Sequence, residues 1–182
     1  MHTFDVEPLQ GIGPVRLGMT RAESRAAMAL PVDAYRKGES PILTDAYLDS
    51  TFQVFFDAAD RVEFIELSSG GACVPLYREV RVLDLAADEA IALVAQEAQP
   101  IDENGDATSV VFPALELSLW RPFAPYASSD EIFDADEDWG SEGFEPIEPG
   151  PDGSPPEGST FATVGVGRRG YFSSAAGTRG PA

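Results

Sequence analysis

Gly11-Ile12-Gly13-Pro14-Val15-Arg16-Leu17-Gly18-Met19-Thr20-Arg21-Ala22-Glu23 is the stretch on which a reading of the fold turns. Val15 and Leu17 alternate with Pro14 and Arg16, the pattern of a short strand. Gly18 can take the torsions of a tight strand-to-helix turn. Thr20 and Glu23 then form a capping box, in which the Thr hydroxyl accepts from the N–H of Glu23 and the Glu carboxylate reaches back. An Ala-rich helix is expected to about Leu30, where Pro31 stops it. Its Ala22, Ala26 and Ala29 fall on one face and predict close approach to a sheet.

Residues 31–50 show turn chemistry and no clear period. A hairpin follows, with Thr51–Phe56 placing Phe52, Val54 and Phe56 on one face, Asp57-Ala58-Ala59-Asp60 as the turn and Arg61–Leu67 as the return. Cys73–Leu83 is rich in Val, Leu and Tyr and predicts another strand. Leu83-Asp84-Leu85-Ala86-Ala87-Asp88-Glu89 then matches Leu17–Glu23 at a constant offset of 66 residues, the mark of an internal repeat. A second helix to about Ala98 ends at Pro100. Asp102–Asp106 is a polar turn. Thr108–Phe112 and Leu115–Trp120 read as strands about Pro113, and Phe161–Val166 as the last strand. The expected fold is α+β: two tandem helix-plus-antiparallel-sheet units, 11–83 and 84–172, with their helices packed on one face of the sheet. Residues 1–182 then form a single domain, with an acidic insertion at 122–160 and a flexible tail at 173–182.

Composition excludes several functions. The 182 residues are 43% hydrophobic and 10% aromatic, enough for a core. The net charge of −19 repels phosphate and argues against a nucleic-acid partner. No apolar run reaches the ~18–20 residues of a membrane span. Cys73 is the single cysteine and His2 the single histidine, the latter at a terminus expected to be poorly ordered. Ser–His–Asp and Cys–His chemistry and a His- or Cys-rich zinc site are therefore not expected. Residues 1–7 carry neither a basic nor an apolar leader region, so the expected location is cytoplasmic. Eleven of the twelve bases are Arg, which points to a GC-rich coding genome such as an actinobacterium's.

Residues 130–157 hold eleven acids and no Lys or Arg, a composition that cannot pack as core. Asp134, Asp136, Asp138, Glu142 and Glu145 fall at positions 1, 3, 5, 9 and 12 of an EF-hand pattern. Trp139 stands where that loop needs Gly, so calcium is not the expected ligand and no metal or other cofactor is assigned. Large apolar residues among acids suit docking on a basic protein, the charge steering and the aromatics anchoring. The candidate partner-binding residues are therefore Asp134, Asp136, Asp138, Trp139, Glu142, Phe144 and Glu145. The plainer reading is a solubilising loop. Glu63 with Glu66, and Asp88 with Glu89, read as solvated faces or helix N-terminal charge rather than catalytic pairs. Arg168-Arg169 could hold an anion, Cys73 reads as a small buried residue, and Gly11-x-Gly13 lacks the rest of a nucleotide loop.

The segment Ile12–Glu23 resembles the strand–Gly-Met-Thr–helix opening of small bacterial helix-plus-sheet repeats. These include the SmpA/OmlA outer-membrane assembly lipoproteins and the beta-lactamase inhibitor protein fold, as well as uncharacterised actinobacterial proteins and immunity proteins of polymorphic toxins. The chain lacks the lipoproteins' lipobox cysteine and the secreted inhibitor's paired cysteines. The resemblance implies a tandem-repeat fold and a non-catalytic binding role. The expectation is a cytoplasmic immunity protein that neutralises a basic toxin domain. The alternative is a stand-alone housekeeping or small-ligand-binding domain.

Overall fold

The computed structural model describes residues 1–37, 42–70, 72–103, 105, 107–122 and 159–172. Among these residues two short α-helices, α1 (Arg21–Met28) and α2 (Ala87–Ala95), accompany two sheets. The larger sheet has eight antiparallel strands: β4 (Asp33–Tyr35), β5 (Thr44–Tyr47), β6 (Phe52–Phe56), β7 (Val62–Ser68), β10 (Ile101–Asp102), β11 (Ser109–Phe112), β12 (Leu117–Trp120) and β13 (Thr163–Gly167). Their order is β10-β11-β12-β13-β7-β6-β5-β4. The smaller sheet has five strands: β1 (His2–Glu7), β2 (Gly11–Ile12), β3 (Val15–Arg16), β8 (Cys73–Tyr77) and β9 (Val80–Arg81).

This arrangement corrects the expectation of two helix-plus-sheet units. Strands from both halves of the chain merge into one sheet through the β13–β7 pairing, Gly165 opposite Glu66 and Val166 opposite Ile65. The smaller sheet is mixed, because β1 runs parallel to β8, His2 opposite Cys73 and Asp5 opposite Leu76. The 66-residue offset survives locally: Thr20 forms an isolated bridge to Arg61, and its counterpart Ala86 one to Thr160. A local match of strand, turn and helix start specifies how a helix enters a sheet. It does not specify which strands pair at long range, and that pairing joins the halves.

His2 is also placed differently from expectation. It is held in β1 by its N–H to the Ala72 carbonyl, 2.6 Å, and its ring stacks near Phe4. Within the opening motif the short strand expected from the Val15–Leu17 alternation falls on β3, which pairs with β2 in a tight hairpin. Gly11 has φ +151°, and a Cβ there would lie 2.1 Å from the Val15 carbonyl oxygen, so only glycine fits.

The capping box of α1 forms as read: the Thr20 N–H donates to Glu23 Oε2 at 2.8 Å, and the Glu23 N–H donates to Thr20 Oγ1 at 3.3 Å. The helix ends at Met28, with Ala29 in the left-handed region at φ 52° and its N–H on the Arg25 carbonyl. The Ala face does not pack: Ala22, Ala26 and Ala29 are exposed, and Ser24 and Met28 are the buried residues. The sheet below explains this, since it presents the carboxylate of Asp45 and attracts the Arg21–Arg25 side of the helix. In α2 the buried stripe is Ala87, Ala90 and Val94.

One core cluster joins the pieces. Phe52, Val54, Ile65, Leu67, Val110, Phe112, Leu117, Leu119, Val164 and Val166 face inward from the large sheet. They meet Phe4, Val6, Ile12, Val15 and Tyr77 of the small sheet and Met28, Ala90 and Val94 of the helices. Phe52, Val54 and Phe56 are on the core face, as their alternation required. The sheet edges are short strands of two or three residues, β10 and β4, which limits edge-to-edge pairing.

Candidate functional site

Asp45 on β5 lies fully buried beneath α1. Arg25 Nε donates to its Oδ2 at 2.6 Å and Arg21 Nη1 to its Oδ1 at 2.6 Å. Arg21 also donates to Asp60 Oδ1 at 2.7 Å and to the Leu43 carbonyl at 2.9 Å, while its guanidinium lies 3.8 Å from the Phe56 ring centroid. The Asp45 carboxylate holds the Arg25 guanidinium above its ordinary pKa. Every donor described here has an acceptor, so the cluster clamps helix to sheet and offers no open position for a substrate.

The other side of the large sheet carries more varied chemistry. The register aligns Ile101, Val111, Ser118, Gly165, Glu66, Gln53 and Ala46 across it. Trp120, 44% exposed, and Ile101, 53% exposed, stand at the β10–β12 end. Lys37 sits near the middle, its Nζ 3.1 Å from Glu66 Oε1 and 4.8 Å from the Phe55 ring centroid. The Tyr35 hydroxyl donates to Gln53 Oε1, and burial raises its pKa, with Glu66 adding to the effect.

Beside this centre the chain after β13 folds back as a strap, Arg168–Phe172. The Tyr171 ring stacks on Phe64 with centroids 4.7 Å apart and planes 3° from parallel. The strap can lie this close because Gly167 has no side chain: a Cβ there would meet Tyr171 Cβ at 2.7 Å. Glu116, in the turn before β12 and 4% exposed, accepts from the N–H groups of Gly170 and Phe172. Arg168 Nη1 donates to Asp57 Oδ2 at 2.7 Å, and its Nη2 lies 3.7 Å from Glu63 Oε2. The N–H of Arg61 is the main influence lowering the Asp57 pKa, whereas burial raises that of Glu63.

The sequence-predicted binding residues Asp134, Asp136, Asp138, Trp139, Glu142, Phe144 and Glu145 all lie outside the described residues, as does most of the 122–160 insertion. Its anchors are described. Arg121 donates from Nε to the Ala107 carbonyl at 2.9 Å, and the Ala162 N–H donates to the Trp120 carbonyl at 2.7 Å. Asp88 and Glu89 are exposed in the first turn of α2. Cys73 is buried, its Sγ 3.1 Å from Thr51 Oγ1, and burial pushes its thiol pKa up. It helps line a cavity of about 190 Å³ with Met1, Val74, Arg81 and Leu83. That volume is below the roughly 300 Å³ at which small-molecule sites begin. Among the described residues no group of three or more His, Cys, Asp or Glu is placed to hold a metal.

The buried Asp45 clamp, the buried Glu116 and the aromatic strap were not anticipated from sequence. The signal available for the strap was the alternation Gly165-x-Gly167 before Arg168-Arg169-Gly170-Tyr171-Phe172. Two missing side chains on one face of a strand leave room for another segment to approach.

Comparisons with protein-family models, curated proteins and solved structures returned no match. Among the described residues no helix is long and apolar enough to cross a membrane.

Proposed function

We propose that this chain is a non-catalytic binding protein whose partner is a basic protein, in the manner of an immunity protein that occupies a toxin domain. The observation that carries the reading is the run of eleven acids without a base at 130–157 in a chain of net charge −19. A cationic surface is drawn to such a segment at long range, and the aromatics within it supply the desolvated anchor. Further support comes from the described body, where Arg21, Arg25, Lys37, Arg78, Arg81 and Arg168 are each engaged with a carboxylate. These internal pairs leave the acidic excess to act outward.

The test is capture from the native host followed by direct binding of the purified, identified partner. Surface plasmon resonance would compare the unaltered chain with Asp134→Asn/Asp136→Asn/Asp138→Asn and with Trp139→Ala. The reading requires a partner of net positive charge whose association slows for the triple variant and whose dissociation quickens for Trp139→Ala. A captured partner that is neutral or acidic, or rates unchanged in both variants, overturns it.

A further inference from the structure

The strap Arg168–Phe172 is seated on the second face of the large sheet by contacts of two chemical kinds, donors on carboxylates and ring on ring. Its backbone N–H groups at Gly170 and Phe172 meet the Glu116 carboxylate. The Arg168 guanidinium meets Asp57 and Glu63. The Tyr171 ring meets Phe64 face to face. The seat is therefore a row of three carboxylates beside an aromatic plate, over the bare surface of Gly167.

We propose that this seat is an exchangeable docking site for a basic, aromatic peptide segment of the partner, held in cis by the chain's own strap until the partner displaces it. Glu116 makes the site selective. A carboxylate 4% exposed cannot be left bare without a large desolvation penalty, so an incoming segment must bring N–H donors or positive charge. Asp57 and Glu63 add the same demand, and Phe64 adds a requirement for a flat ring. The strap meets all three with Arg168, Gly170, Tyr171 and Phe172, yet none of its five residues is fully buried. Because Glu116 cannot be left bare, the strap leaves the seat only as an incoming segment takes over its carboxylate. In-chain tethering raises the strap's effective concentration to the order of 1 mM. A competing partner must therefore make contacts beyond the seat, and a short peptide must be used near that concentration.

The proposal rests on the reading of a basic partner, and it fails separately from that reading because its probe is the strap's own sequence. The probe is acetyl-GRRGYF-amide, corresponding to Gly167–Phe172, labelled for fluorescence anisotropy against the full chain. The Tyr171→Ala chain, whose own strap is weakened, should bind the probe at least tenfold tighter than the unaltered chain. Adding Glu116→Gln should abolish that gain, and acetyl-GEEGYF-amide should not bind. In the unaltered chain, about 1 mM unlabelled probe should speed amide hydrogen exchange at Gly170 and Phe172. This last measurement decides the matter alone if Tyr171→Ala does not fold. Equal binding to both chains, equal binding of the Glu-containing peptide, or unchanged exchange overturns the proposal. So does a concentration-dependent dimer of the unaltered chain that Tyr171→Ala abolishes, since the occupant would then be a second copy.

Discussion

Tyr47 is 1% exposed, and its hydroxyl has no hydrogen-bond partner among the described residues. Burial, with Asp45 nearby, pushes its pKa up to about 12, so it stays neutral. A buried hydroxyl without a partner costs about 1–3 kcal/mol. Tyr47→Phe keeps the ring and its edge contact with Phe52, and should stabilise the chain by about 1 kcal/mol, read from urea unfolding with the slope unchanged. Asp45→Asn acts in the opposite direction, because it leaves Arg21 and Arg25 against a neutral amide. Removing one partner of a buried ion cluster typically costs about 3 kcal/mol. The same titration should show that loss, and Arg25→Met in the Asp45→Asn background should recover part of it.

At the scale of elements, the β6–β7 hairpin contributes to the pH dependence with both signs. Asp57 is held below its ordinary 3.8, chiefly by the Arg61 N–H, with Ala59 and Arg168 assisting. A carboxyl lowered by folding stabilises above its unfolded pKa, and that gain is lost as pH falls through the lowered value. Glu63 is raised above 4.5, mainly by burial. Its contribution is fully present below the unfolded pKa and is lost as pH rises through the raised value. Asp57→Asn should therefore destabilise at neutral pH, with the difference vanishing as pH falls below 3.8. Glu63→Gln should shift the balance toward stability at neutral pH. Urea midpoints across the acidic range check both signs. In α1, Thr20→Ala removes the cap and should cost about 1 kcal/mol. The aligned Ala86 has no side-chain cap to lose, so Ala86→Ser should gain stability, measured by the same method.

At the scale of the molecule, the insertion leaves β12 and returns to β13 as neighbours in one sheet, with Trp120 opposite Thr163. Its two ends are therefore adjacent, and a short Gly/Ser bridge can replace residues 130–157. Described residues on either side of the segment, Leu119 and Phe161, are fully buried in the core cluster, and the acidic composition of 130–157 does not suit core packing, so the melting temperature of the deletion variant should stay within a few degrees. Its net charge falls to −8. Association with a basic partner should be slower and less salt-dependent, since steering scales with the charge removed. Stopped-flow association at two ionic strengths separates this outcome from that of a merely solubilising loop.

Local chemistry was legible in the sequence wherever neighbouring residues determine the outcome. The Thr20–Glu23 box, the Asp57–Asp60 turn and the alternation of Phe52, Val54 and Phe56 follow from contacts a few residues apart. The face of α1 that packs was not legible, because its Ala stripe and its Arg pair fit a sheet equally well until Asp45 is placed beneath one of them. The pairing of β1 with β8 and of β7 with β13 was hidden for the same reason. Strand partners are chosen by burial and register across long separations, and a repeat-like offset shows only local similarity. The sequence alone determined the acidic excess, the single cysteine and histidine, and the cap of α1. The tertiary structure decided that the halves share one sheet, and that buried carboxylates at Asp45 and Glu116 hold a helix and a strap in place. Burial is what gives a carboxylate that power, since a charge removed from water must find its donors within the fold.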